Sequence, residues 1–190
     1  MAQTAFKGSP AHTVGSLPAV GSVAPAFDLV SLTLQDARLS DYAGRRVVMN
    51  IFPSLDTGIC AMSVRKFNEV AASLENTVVL NISADLPFAQ KRFCGAEGIE
   101  NAVTLSAYRS GFGSTYGVTL TDSPLRGLFA RSVIVLDADH VVRYVELVPE
   151  ITTEPEGTFT VDGSCNSREM DCIYRALADI RETLEHRDDC

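Results

Sequence analysis

Residues 46–83, RVVMNIFPSLDTGICAMSVRKFNEVAASLENTVVLNIS, decide the fold of this chain. The nearly continuous apolar run at 46–52 stops at Pro53 and is typical of a strand buried on both faces. A helical period follows, because apolar residues recur at spacings of four, three, four and three: Cys60, Val64, Phe67, Ala71 and Leu74. Asn76 ends this helix, and 77–83 has the pattern of a second buried strand. A strand–helix–strand unit of this length predicts a parallel crossover within an α/β sheet.

The flanking sequence extends this unit to a complete sheet. We predict these further elements: strands at 26–32 and 102–108, a helix at 87–94 that Pro87 opens and that ends near Gly95, a β-hairpin of 132–136 with 141–147, and a last helix at 171–185. The first 25 residues are rich in Gly, Ser and Pro and predict a hairpin-like extension of short strands. We therefore predict a single domain, 1–190, with an α/β, thioredoxin-like fold in which helices flank a central mixed β-sheet.

The composition fits a compact globular domain. The chain has 190 residues, 46% of them hydrophobic and 21% charged, which excludes a disordered chain or a coiled coil. Its net charge of −8 and isoelectric point near 4.8 argue against nucleic acid and anionic membranes as partners, because an acidic surface repels phosphates. No apolar run approaches the roughly 18 residues of a membrane span, and the first twenty residues lack the apolar core of a secretory signal. We therefore expect a cytoplasmic location.

Five cysteines are spread along the chain, at 60, 94, 165, 172 and 190. An odd number in a chain that is neither small nor predicted to be secreted argues against a disulfide scaffold. In a reducing compartment such cysteines pack as small hydrophobes, bind metal or carry out redox chemistry. Their number alone does not choose between these roles.

Cys60 falls in the first turn of the predicted central helix, where Asp56 and Thr57 are candidate N-caps. A helix N-terminus carries about half a positive charge and unpaired N–H groups, and both stabilise a thiolate. Position alone leaves two interpretations equal: a reactive nucleophile, or a small hydrophobe on the core face.

The residues before Cys60 bear on that choice. Pro53, Thr57 and Cys60 form the pattern P-x-x-x-T-x-x-C. The threonine hydroxyl can hydrogen-bond both the sulfur and an oxygen brought to it, and the proline, which lacks an N–H, can shield the sulfur from water. This pattern resembles the peroxidatic-site motif of the peroxiredoxins. Three longer segments resemble the thiol peroxidase subfamily in a match that spans about residues 3 to 155: NIFPSLDTGICAMSVRKFNE, NISADLPFAQKRFCGAEGI and EITTEP.

The resemblance implies a peroxidase with Cys60 as the peroxidatic cysteine and Cys94 as the resolving cysteine. Cys60 would attack a peroxide and become a sulfenic acid, and Cys94 would convert it to an intramolecular disulfide that thioredoxin reduces. Arg131 aligns with the active-site arginine of the family, whose planar fork can donate to sulfur and peroxide oxygen together. The family also implies a homodimer, hydrogen peroxide and organic hydroperoxides as substrates, and no metal, flavin or haem.

Each of these residues also has a plainer interpretation. Arg131 would then be a solvated strand-edge arginine, Thr57 an ordinary N-cap, and Cys94 a core residue. A disulfide needs Cα atoms within about 7 Å, and the two helix positions give Cys60 and Cys94 no reason to meet in the reduced fold. We therefore expect local unfolding around one or both cysteines before the bond closes.

The family pattern fails after residue 155, where 156–170 form an unmatched insertion and 186–190 an unmatched tail. Three cysteines lie in this part of the chain: Cys165, Cys172 and Cys190. They are interpreted as incidental thiols of a polar loop, as a second redox pair, as acceptors of the disulfide from Cys94, or as links between subunits. A zinc site is only weakly indicated, because C-x6-C with His186 nearby is a poor spacing for metal ligands.

Two other functions compete with the peroxidase. A redox sensor or adaptor would pass oxidation from Cys60 to a partner through the tail cysteines, but a pure sensor needs no internal resolver such as Cys94. A thioredoxin-fold oxidoreductase of protein disulfides would normally carry a C-x-x-C pair, which this chain lacks.

Overall fold

The structure is a computed structural model that describes residues 1–152. Its strands are β1 Gln3–Phe6, β2 Ser9–His12, β3 Asp28–Ser31, β4 Asp36–Arg38, β5 Arg46–Ile51, β6 Thr77–Ser83, β7 Val103–Ser106, β8 Ser132–Leu136 and β9 Val142–Leu147. Its α-helices are α1 Gly58–Ala71, α2 Pro87–Glu97 and α3 Phe112–Thr115, and a 3-10 helix spans Leu39–Tyr42. The predicted last helix, the insertion at 156–170, the tail at 186–190 and cysteines 165, 172 and 190 lie outside the described residues.

Seven strands form one sheet in the order β4-β3-β7-β6-β5-β8-β9. The three central strands, β5, β6 and β7, are parallel, and the remaining pairs are antiparallel. This is the predicted mixed sheet of a thioredoxin-like α/β fold. The predicted strand–helix–strand unit and the late hairpin of β8 with β9 are both confirmed.

The N-terminal extension is a separate two-stranded sheet of β1 and β2, as the hairpin-like prediction required. It is fastened to the segment after β9, because Thr4 Oγ1 donates to the Val148 carbonyl at 2.7 Å. The Glu150 carboxylate also accepts the N–H groups of Lys7 and Gly8, which form the hairpin turn.

The central strands separate two apolar layers. All seven residues of β6 are buried, as expected for a strand covered on both faces. One layer holds α1 and α2 against one face of the sheet and includes Val48, Val64, Phe67, Val79, Val133 and Val135. The other layer centres on an aromatic cluster in which Phe112 and Tyr116 stack at 4.3 Å between ring centroids. Helices α1 and α2 therefore share one face of the sheet, and both carry a buried cysteine on it.

Two predicted helix ends are wrong. Helix α1 ends at Ala71, so Leu74 lies beyond it while still packing against the same apolar layer. The cause is local: Ser73 donates its N–H and its hydroxyl to the Val70 carbonyl, and this competes with the regular helical bond. Helix α2 continues through Gly95 and ends at Glu97, and the next residue, Gly98, has a φ of +64° that suits a glycine at a helix C-terminus.

No helix within residues 1–152 combines the length and the apolar character that spanning a membrane requires.

Candidate active site

Cys60 is the third residue of α1 and is 1% exposed. Thr57 is the N-cap by its extended backbone, and its carbonyl accepts the first helical bond, from the Ala61 N–H at 3.0 Å. The N–H of Cys60 therefore precedes the hydrogen-bonded ladder, where the partial positive charge of the helix end is concentrated. A thiolate at this position is stabilised by that charge.

Arg131 supplies a full positive charge to the same sulfur. Its Nη2 lies 3.2 Å from Cys60 Sγ, and the arginine is 1% exposed. The sheet register explains the contact, because β5 pairs with β8 and sets Ile51 opposite Ser132. The residue before β8 thus lies beside the loop that follows β5. Arg131 is a buried residue and not a solvated strand-edge arginine.

The remaining donors of Arg131 are unusual. Its Nε and Nη1 are buried and have no hydrogen-bond partner within the described structure. Buried charged donors are normally paired, and leaving them unpaired costs free energy. The Arg131 guanidinium beside Cys60 Sγ therefore has N–H donors that no group within residues 1–152 accepts.

Thr57 and Pro53 lie in the loop between β5 and α1. Pro53, the second residue after the strand, is buried, whereas Thr57 is exposed. The Thr57 hydroxyl makes no capping bond and donates to the Ser54 carbonyl at 3.1 Å. The structure thus brings Cys60 and Arg131 into contact, and it places the Thr57 hydroxyl on a backbone carbonyl of its own loop.

Cys94 lies on α2 and is 7% exposed. Its thiol donates to Thr104 Oγ1 of β7 at 3.3 Å. Burial raises the pKa of the Cys94 thiol. Cys60 and Cys94 are both free thiols in the same apolar layer, and their hydrogen-bond partners are different.

Asp85, which sequence reasoning did not identify, makes three side-chain hydrogen bonds near these loops. Its carboxylate accepts hydrogen bonds from Ser54 Oγ, the Leu55 N–H and Ser83 Oγ, each at 2.8 Å. The available signal was its place as the second residue after β6, since loops at the carboxyl ends of adjacent parallel strands meet at one edge of the sheet. Also missed was a buried amide pair beneath α1, in which Asn50 donates to Asn81 at 2.8 Å.

The amino-acid sequence of this chain is similar to a known family and to proteins within it. The Redoxin family model matches residues 19–161. The chain is 58% identical over 156 residues to a thiol peroxidase of Corynebacterium glutamicum, covering 82% of this chain and 94% of that protein. It is 54% identical over 155 residues to a thiol peroxidase of Mycobacterium tuberculosis, covering 82% of this chain and 93% of that protein.

Solved structures of peroxiredoxin-like proteins and thiol peroxidases share the fold of this chain. A peroxiredoxin-like protein from Aquifex aeolicus superposes with a TM-score of 0.79 at 35% identity, over 95% of this chain and 96% of that one. A thiol peroxidase from Chromobacterium violaceum, at 23% identity, shares the fold with a TM-score of 0.80 over 93% of this chain and 96% of that one. The chain belongs to the Redoxin family and, within it, to the thiol peroxidase subfamily of the peroxiredoxins. It is a thiol-dependent peroxidase, an oxidoreductase.

Proposed function

We propose that Cys60 is the peroxidatic cysteine of this peroxidase and Cys94 the resolving cysteine, with Arg131, Thr57 and Pro53 completing the site. One observation carries the assignment: the buried Arg131 guanidinium donates to Cys60 Sγ at 3.2 Å, and its Nε and Nη1 have no hydrogen-bond partner within residues 1–152. A cation and a helix N-terminus together favour the thiolate, which is the nucleophilic form of cysteine. The free donors of Arg131 are suited to the oxygen atoms of a bound peroxide.

The first step transfers one oxygen atom to sulfur. The Cys60 thiolate attacks one oxygen of R–O–O–H, a sulfur–oxygen bond forms and the oxygen–oxygen bond breaks. The electron pair leaves with the second oxygen, which takes up a proton and departs as an alcohol or as water. Cys60 is oxidised to a sulfenic acid and the peroxide is reduced. Arg131 stabilises the negative charge that develops on the leaving oxygen.

The second step closes a disulfide. The sulfur of Cys94 attacks the sulfur of the Cys60 sulfenic acid, the sulfur–oxygen bond breaks and one molecule of water is released. The different surroundings of the two thiols support this division of roles. Cys60 lies beside a cation, whereas burial raises the pKa of the Cys94 thiol and so favours its protonated form. The two thiols must give up their separate hydrogen-bond partners when the disulfide forms, and we propose that one segment moves before the bond closes.

Thr57 and Pro53 affect how the peroxide binds beside Cys60. Thr57 is exposed and holds its hydroxyl on the Ser54 carbonyl, from which a rotation about one side-chain bond releases it toward a substrate. Pro53 is buried beside the site and offers no N–H that competes for a peroxide oxygen or for the sulfur.

We further propose thioredoxin as the reductant, since a dithiol protein reopens the disulfide by thiol–disulfide exchange. Organic hydroperoxides are proposed as substrates alongside hydrogen peroxide, and a cytoplasmic homodimer as the form of the protein. These assignments follow from the family. The single-domain organisation over 1–190 remains a prediction.

The test is turnover of peroxide with thioredoxin, followed by peptide mapping of protein treated with one equivalent of peroxide. We expect a Cys60–Cys94 disulfide in the wild-type protein and no turnover in Cys60→Ser, because a hydroxyl is a far poorer nucleophile than a thiolate. A triple variant with serine at 165, 172 and 190 is the matched control and should retain wild-type turnover. A disulfide between Cys94 and any of those three cysteines, or full activity in Cys60→Ser, would contradict the assignment.

A further inference from the structure

Asp85 lies in the loop between β6 and α2, and its carboxylate binds the loop between β5 and α1. Oδ1 accepts from Ser54 Oγ, and Oδ2 accepts from the Leu55 N–H, both at 2.8 Å. These two donors follow Pro53 directly and precede the N-cap of α1. A carboxylate that accepts such bonds holds a loop more firmly than a neutral group, since hydrogen bonds to an ionised acceptor are about twice as strong.

Through Ser54, this contact also affects the hydroxyl of Thr57, which we propose acts on the peroxide. The Ser54 carbonyl accepts both the hydroxyl of Thr57, at 3.1 Å, and its N–H, at 3.3 Å. Ser54 Oγ also accepts the Asp56 N–H at 3.2 Å. Asp85 therefore holds Ser54 in place, and Ser54 in turn binds Thr57, the N-cap of the helix that carries Cys60.

The same carboxylate is tied to the helix of the second cysteine. Ser83 Oγ donates to Asp85 Oδ2 at 2.8 Å and accepts from Gln90 Nε2 at 3.1 Å. Gln90 is fully buried on α2, one turn before Cys94, and also donates to the Leu105 carbonyl at 3.0 Å. Asp85, Ser83 and Gln90 thus form a hydrogen-bonded chain from the loop before Cys60 to the helix of Cys94.

The attachment of α2 depends on such polar contacts more than that of α1 does. Seven residues of α1 are buried, but only Pro87, Gln90 and Cys94 of α2. One acceptor in this contact, Gln90 Oε1, is buried and has no hydrogen-bond partner among the described residues, which reduces the stability of the docked helix. Helix α2 therefore has less apolar burial to lose on opening than α1 has.

From these contacts we infer that Asp85 is a positioning residue that holds both cysteine segments in the arrangement that reacts with peroxide. A movement of α2 that brings Cys94 to Cys60 breaks the bond from Gln90 Nε2 to Ser83 Oγ, the hydroxyl that also donates to Asp85. The inference rests on the proposed roles of the two cysteines. Removing the carboxylate destabilises the arrangement that reacts with peroxide relative to the one in which Cys94 reaches Cys60. The change therefore has opposite effects on the oxidation of Cys60 and on disulfide formation. Oxidation of Cys60 slows because the loop is less ordered, and disulfide formation accelerates because opening is easier.

The experiment measures both steps by stopped flow in the full chain. Oxidation of Cys60 is followed in a Cys94→Ser background, and disulfide formation is followed in the presence of Cys94 after one equivalent of hydrogen peroxide. Asp85→Asn keeps the side-chain volume but leaves one acceptor oxygen for three donors. We expect oxidation to slow about tenfold and disulfide formation to accelerate about threefold or more. Ser54→Ala removes a single bond to the carboxylate and should shift both rates in the same directions by less.

The matched control is Asp137→Asn. Asp137 also accepts two backbone N–H groups and an arginine, but it follows β8 at the end opposite Arg131. We expect it to leave both rates unchanged.

Disulfide formation that is slowed or unchanged in Asp85→Asn would overturn the inference, and Ser54→Ala decides the question in the same way if Asp85→Asn does not fold. Failure of wild-type protein to form the Cys60–Cys94 disulfide would instead overturn the proposed function, so the two failures are distinguishable.

Discussion

Arg131 and Cys60 lie 71 positions apart in the chain, yet Nη2 of the arginine lies 3.2 Å from Sγ of the cysteine. Both residues are 1% exposed, so their interaction is screened by water less than a surface contact would be. The antiparallel register of β5 with β8 creates this contact, because it places the residue before Ser132 beside the loop after Ile51. The chemistry proposed for Cys60 depends on this one relationship.

Replacing Arg131 should therefore impair the first half-reaction. In Arg131→Gln the side chain remains polar but loses its charge, so we expect oxidation of Cys60 by peroxide to slow by about a hundredfold. Arg131→Lys keeps the charge but not the fork of donors, so its oxidation rate should lie between those of the wild type and Arg131→Gln. Stopped-flow oxidation measures this effect. An unchanged rate in Arg131→Gln would show that the arginine does not act on Cys60.

Thr57 offers a test of the hydroxyl itself. Thr57→Val preserves the shape of the side chain but removes its donor, so we expect oxidation of Cys60 to slow about tenfold or more. Within residues 1–152 the Thr57 hydroxyl donates only to the Ser54 carbonyl, in an exposed bond, so the midpoint of chemical unfolding of Thr57→Val should remain close to that of the wild type. Thr57→Ser retains the hydroxyl and is the control. Equal oxidation rates in the valine and serine variants would rule out a role for the hydroxyl.

Much of the fold was predictable because its signals are local. The apolar run at 46–52, the helical spacing from Cys60 to Ala71 and the run at 77–83 predicted three elements that the structure confirms. The helix ends were less predictable, since Ser73 ends α1 through competing bonds to the Val70 carbonyl. Gly98 instead of Gly95 ends α2, and both glycines fit the local sequence.

The candidate site depends on contacts between residues far apart in the chain, and the periodicity of apolar residues does not predict such contacts. Arg131 was identified only through the family resemblance, because its neighbourhood is set by strand register. Asp85 lay within a segment that matched the family, yet its partners Ser54 and Leu55 lie about 30 positions away. Only the meeting of the two loops at one edge of the sheet reveals its role.

The aromatic layer opposite the cysteines gives a prediction about stability. A Cβ added at Gly113 would lie 2.2 Å from Thr119 Oγ1 and 2.4 Å from Phe129 Cε1. We expect Gly113→Ala to destabilise the protein by about 1–3 kcal/mol in chemical unfolding, because a packed core must shift to admit the methyl group. Gly111→Ala is the control, since its Cβ would meet no atom within 4 Å. Equal unfolding midpoints in the two variants would contradict this packing.

Glu150 should make the N-terminal hairpin sensitive to acid. Bonds from Thr152 Oγ1, the Gly8 N–H, the Thr152 N–H and the Lys7 N–H lower the pKa of Glu150 to about 2. In the unfolded chain the pKa of a glutamate is about 4.3, so the folded state binds the proton less tightly. The stabilisation is therefore present above about pH 4.3 and is lost as the pH falls towards 2.

The variant Glu150→Gln measures this contribution. Relative to wild type, it should lose stability at pH 7 by about 1 kcal/mol or less, because partly exposed contacts are screened by water. The difference should shrink as the pH falls from 5 towards 2. Urea unfolding at a series of pH values provides the measurement. A stability difference that stays constant across that range would contradict the proposed titration of Glu150.

The central claim is that the peroxide oxygen is transferred to Cys60, and one trapping measurement tests it directly. Cys94→Ser protein is treated with one equivalent of hydrogen peroxide in the presence of a reagent specific for sulfenic acids, and the adduct is located by mass spectrometry. With the resolving thiol absent, the sulfenic acid persists, so we predict close to one adduct per chain, located on Cys60. An adduct located on Cys165, Cys172 or Cys190, with Cys60 left as a free thiol, would contradict the account.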